Sequence, residues 1–108
     1  MAQPTIVELL GAGTVIDIPN QLVSIPAQVF IDNGLIDLST AQPIEIVAVL
    51  VKNATSWLTN NNDEAVNADG NLTVNTPAIR NNIEKTLFAF TFEFFGNYTE
   101  PIFNPIDL

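Results

Sequence analysis

Neither histidine nor cysteine occurs in this chain, and only Lys52, Arg80 and Lys85 carry positive charge. The usual general base, the thiolate nucleophile, thiolate zinc sites and disulfide staples are therefore excluded. Catalysis would fall to carboxylates, hydroxyls, three cationic side chains or a single tyrosine. Twelve acidic residues bring the formal net charge to -9, and so few cations build no basic patch for a phosphate backbone or an anionic bilayer. Nucleic acid is not expected as a partner. No run of about eighteen apolar residues is present, so no membrane insertion is expected either. The opening Met1-Ala2-Gln3-Pro4-Thr5 has no basic stretch, and Glu8 interrupts the apolar residues after it, so no secretory signal is expected. Synthesis in the cytoplasm is expected; the final location is left open, incorporation into a virion or larger particle being one option.

Charged residues make up only 14% of the chain and mean hydropathy is +0.28. The exterior must then rely on Asn, Thr, Gln and Ser, or be covered in part by another subunit.

What is present is strand-like alternation. Across residues 86–95, Phe88, Phe90, Phe92 and Phe94 point one way while Leu87, Ala89, Thr91, Glu93 and Phe95 point the other. A strand of this length spans roughly 30 Å, and its aromatic row needs a covering layer. Asn33-Gly34 between apolar runs predicts a type I′ hairpin. That hairpin would gather Val29, Ile31, Ile36 and Leu38 on one face and place Phe30 and Leu35 on a wetter one. Residues 44–51, apolar on both faces, predict a central strand. Pro19 and Pro26 favour short or edge strands over 14–18 and 22–25. Asp69-Gly70 suggests a smaller second hairpin. Thr76-Pro77 followed by Ile79, Ile83 and Leu87 suggests at most one short helix near 77–85. The predicted fold is thus mostly all-β, an antiparallel two-sheet β-sandwich or jelly-roll-like domain. It covers residues 1–108 as one domain, with extended arms at 1–10 and 99–108.

Few chemical motifs survive scrutiny. Gly11-Ala12-Gly13 lacks the third glycine of a dinucleotide fingerprint and is read as a turn. Asp63, Glu64 and Asp69 are the candidate metal ligands. The helical calcium loop is excluded, since setting Gly70 at its sixth position puts Ala65 and Thr76 where carboxylates are required. No metal and no cofactor is expected. Glu45 and Glu93 are the carboxylates from which a glycosidase-like pair could be assembled, but no nucleophile elbow or phosphate loop accompanies them, and an enzyme is not expected. Asn53, Asn71 and Asn97 begin glycosylation-type triplets, which thirteen asparagines supply by chance.

Two functions fit. The first is a structural subunit that assembles into a homo-oligomer, alone or with other structural subunits, as in virion tails, capsid decorations or surface fibres. Its interface residues would be Phe30 and Leu35 together with Ile102, Phe103 and Ile106 of the C-terminal arm, where Pro101 and Pro105 forbid helix. The second is a carbohydrate- or small-ligand-binding module using Trp57, Asn61 and Asn71 in the 60–71 loops.

Overall fold

The computed structural model describes residues 3–96 and 101–108. Its longest helix is α3 (Pro43–Asn60), over the segment read above as a central strand and the residues after it. Proline at the first helical position and Glu45 accepting from the Gln42 N–H at 2.7 Å start it. Ile46, Val49, Leu50, Asn53, Ala54, Trp57 and Leu58 recur at helical spacing, and all are buried or half-buried. A short apolar run does not distinguish strand from helix; helical spacing sustained over the eighteen residues of α3 does.

The Asn33-Gly34 hairpin is likewise replaced by a helix end. Helix α2 (Ala27–Asp32) terminates there with Gly34 at a φ of 104°. The Leu35 N–H reaches the Phe30 carbonyl and the Gly34 N–H the Ile31 carbonyl, both at 3.1 Å, which is a Schellman cap. The positive φ that suits a type I′ turn suits a helix terminus equally. Phe30 is consequently only 4% exposed and forms the core with Val29 and Val49, while Leu35 packs against that cluster. Phe30 is removed by this burial from the candidate interface.

The N-terminal arm also contains a helix, α1 (Ile6–Leu10), with a capping box in which Thr5 and Glu8 bond each other's backbone. Strands β1 (Val15–Asp17) and β2 (Leu22–Ser24) form a small antiparallel hairpin, close to the short strands expected.

The largest element is the antiparallel pair β3 (Ala68–Arg80) and β4 (Ile83–Phe94). Its turn is Asn81-Asn82, both with positive φ (52° and 60°), the signature of a two-residue type I′ turn. The helix expected near 77–85 is thus a strand end and a turn. Thr76-Pro77, taken as a helix start, forms a bulge opposite Thr86, with the two threonine hydroxyls 3.2 Å apart. Asp69-Gly70 is not a turn: both residues lie within β3. At Gly70 an added Cβ would sit 3.0 Å from the Leu58 Cβ and 3.3 Å from the Thr55 Cα. The missing side chain lets α3 lie directly on the strand pair.

The architecture is therefore helices with two antiparallel two-stranded sheets. The layer over the phenylalanine strand is a helix rather than a second sheet. It covers only part of that strand. The radius of gyration is 16.2 Å, against about 13 Å for a compact chain of this length. Accessible surface is 8115 Å², against about 5,900 Å² for a compact monomer of this mass.

Candidate functional site

Register divides the β3–β4 hairpin into two chemically distinct faces. Ala68 pairs with Phe94, Gly70 with Phe92, Leu72 with Phe90 and Val74 with Phe88. Directly opposed residues share a face, so this one is wholly apolar. The opposite face carries Asp69 with Glu93, Asn71 with Thr91, Thr73 with Ala89 and Asn75 with Leu87. Where α3 crosses at Gly70, the apolar face is covered, and Phe90 and Phe92 are half-buried. Toward the turn it is bare: Phe88 is 58% exposed and Val74 50%, with Leu72 also exposed. Such a contiguous apolar patch marks an interaction surface more often than a free exterior.

The C-terminal arm meets the hairpin at its base. Phe103 stacks at a tilt on Phe94, with ring centroids 5.9 Å apart, and Phe94 in turn lies 6.4 Å from Phe92. A short 3-10 turn (Pro105–Asp107) follows. Leu108 lines an apolar groove of about 440 Å³ with Ile6, Leu9, Leu58 and Phe92. The arm's other apolar residues nevertheless remain outside: Ile102 is 78%, Phe103 68% and Ile106 87% exposed.

Trp57 and Asn61 are brought together, but not with Asn71. Both line a polar cleft of about 480 Å³ shared with Glu8, Gln28, Asp32 and Lys52, whereas Asn71 sits on β3 opposite Thr91. Most polar groups there are already engaged. The Trp57 indole N–H donates to Glu8 Oε2 at 3.0 Å, Lys52 Nζ to Asn33 Oδ1 at 2.6 Å, Gln28 Nε2 to Asp32 Oδ1 at 2.6 Å and Asn61 Nδ2 to the Trp57 carbonyl at 2.8 Å. The Thr5 backbone N–H, then its hydroxyl and the indole, hold the Glu8 carboxyl below its ordinary pKa.

Asp63, Glu64 and Asp69 line one depression of about 340 Å³ beside Asn67 and Phe95. Asp63 accepts from the Ala65 N–H at 2.8 Å, which lowers its pKa. Among the described residues no three acidic groups are disposed to hold a metal ion. Glu45 caps the start of α3, and about 20 Å of helix separates it from Leu58, beside which Glu93 lies; the two carboxylates do not form a pair. The Asn97 triplet falls outside the described residues. Among those residues no helix is long and apolar enough to cross a membrane.

Sequence reading missed three features that position this surface. Thr5-Ile6-Val7-Glu8 is a capping-box pattern, Asn81-Asn82 tolerates paired positive φ, and Gly70 breaks an otherwise regular strand. Each carried a readable signal.

Fold and surface together define a small α+β arrangement that leaves part of an apolar hairpin face uncovered. Comparison with protein-family models, with curated proteins and with solved structures gave no match.

Proposed function

We propose that the protein is a non-enzymatic structural subunit that forms a homo-oligomer through its long hairpin and C-terminal arm. The observation that carries this reading is the bare distal half of the apolar face, Leu72, Val74 and Phe88. Surface area supports it. The excess over a compact monomer is on the order of 2,000 Å², the scale of a stable subunit interface. The intramolecular core is correspondingly small, with Val29, Phe30, Val49, Leu58 and Val66 as its buried apolar residues. Exposed Ile102, Phe103 and Ile106 add to the contact surface, whereas Phe30 does not. The neighbour that the distal half of the phenylalanine strand lacks within one chain is then supplied by a second copy. Use of such a unit in a virion, tail or surface fibre extends the reading by architectural analogy.

The ligand-binding alternative has a cleft at Trp57, but the engaged polar groups there favour assembly. Light scattering with circular dichroism separates the readings. The full chain is expected to run as an oligomer, and Phe88→Asp as a folded species of lower mass. A full chain that stays monomeric at tens of micromolar, with saturable sugar binding lost in Trp57→Ala, would overturn assembly in favour of the module.

A further inference from the structure

The two outer edges of the β3–β4 hairpin are not equivalent. On β3, Pro77 has no N–H to donate and the bulge between Asn75 and Ala78 breaks the ladder, the usual devices that stop another strand from adding. On β4, twelve residues run without proline or bulge. Among the described residues no strand pairs with its outer edge. An unprotected edge of that length is a template for strand addition.

Alternation identifies the groups on that edge. In a two-residue hairpin the closing pair, here Arg80 and Ile83, is hydrogen-bonded, so odd-numbered residues of β4 turn their N–H and C=O toward β3. The Phe95 N–H, in the same phase, does reach Asn67 O at 3.1 Å. Even-numbered residues, the phenylalanines among them, therefore present their backbone groups to the open edge.

We propose that two copies of this chain pair their β4 edges antiparallel about a two-fold axis at Ala89, forming a four-stranded sheet in the order β3-β4-β4-β3. The inference rests on the homo-oligomer reading and specifies its geometry. Three constraints select the register. The aromatic face must stay continuous, so even residues oppose even ones. Edge-facing backbone groups must meet in hydrogen-bonded pairs, which Phe88 with Phe90 of the second copy provides. The third is charge: Lys85 is the only cation on β4 and Glu93 lies eight positions on. Centring the pair on Ala89 sets Lys85 opposite the second copy's Glu93 twice, by symmetry. A shift by two residues either way loses both ion pairs. In this register the bare Phe88 of each copy lies opposite Phe90 of the other, while Leu72 and Val74, on the outer strand β3, gain no strand neighbour from the pairing.

The absence of native cysteine makes the test clean. At the axis Ala89 and its copy form a non-hydrogen-bonded pair, with Cα atoms about 4.5 Å apart, within reach of a disulfide. Under mild oxidation Ala89→Cys should become mostly covalent dimer with an unchanged circular dichroism spectrum. Leu87→Cys alone should not, because its copy lies roughly 13 Å away along the strands. Mixed with Thr91→Cys, it should cross-link. An oligomer by light scattering in which Leu87→Cys cross-links as fast as Ala89→Cys, or in which Ala89→Cys fails to cross-link, overturns this register while leaving assembly intact. A monomeric full chain overturns both.

Discussion

The two halves of the β3–β4 hairpin share one ladder and one alternating pattern, yet only the half at Gly70 is covered. Near the base, α3 sits on the strands because Gly70 leaves room for Leu58 and the Thr55 backbone. Near the turn, Leu72, Val74 and Phe88 are equally apolar and exposed, with no helix above them among the described residues. Alternation determines which face is apolar. It does not determine how much of that face its own chain will cover; here helix length and the position of one glycine decide that.

The largest effect should come from breaking the covered half. Leu58→Ala removes a buried side chain at the crossing, and denaturant unfolding should show a loss of about 3 kcal/mol. A loss below about 1 kcal/mol would mean that α3 is not what holds the base of the hairpin. Gly70→Ala tests the same contact from the other side. A Cβ placed 3.0 Å from the Leu58 Cβ requires helix and strand to part by a few tenths of an ångström, at an expected cost of about 1 kcal/mol. An unchanged unfolding midpoint would show that the helix stands further away.

Thr55 sharpens the comparison in the opposite direction. Its hydroxyl oxygen is buried and has no hydrogen-bond partner among the described residues, so Thr55→Val should stabilise the covered half by about 1 kcal/mol. A loss of stability would reveal a bond that the hydroxyl makes. The smallest effect concerns the α1 cap, away from the bare half. Hydrogen bonds from Thr5 hold Glu8 below its ordinary value of 4.5, so the folded chain binds this proton less readily than the unfolded chain. Its stabilisation is full above about pH 4.5 and is lost as pH falls through the lowered folded value. The stability gap between the wild type and Glu8→Ala should therefore close on acidification. A gap constant from pH 6 to pH 3 would separate the cap from the carboxylate's charge.

One strand of the hairpin was legible in the sequence; its partner β3 reads instead as a short hairpin at Asp69-Gly70 and a helix near 77–85. The phenylalanine alternation placed β4 and its aromatic face, and the prolines placed the short β1–β2 pair. The exposed arm residues Ile102, Phe103 and Ile106 were legible as apolar side chains without an obvious home. The helices were less so, for specific reasons. Val47, Val49 and Val51 favour strands locally, yet tertiary burial of the spacing from Ile46 to Leu58 overrode that preference. Asn33-Gly34 supplied positive φ without saying whether a turn or a helix end would use it. Phe30 consequently moved from a proposed surface into the core. For the ligand alternative, Trp57 and Asn61 converged because they are one helical turn apart, while Asn71 depended on a long-range crossing that no local pattern encodes.

The docking of α3 at Gly70 also has a mechanical consequence. Arg80, where the Asn81-Asn82 turn begins, lies ten positions beyond Gly70. The strand pair is thus a lever fixed near one end. Over a span of roughly 33 Å, a pivot of about 10° at the fulcrum carries the turn through roughly 6 Å, more than the spacing between neighbouring strands. The angular tolerance of the contacts at the base, the close approach at Gly70 and the Thr59 hydroxyl on the Gly70 carbonyl among them, therefore bears on how accurately the far end is aimed.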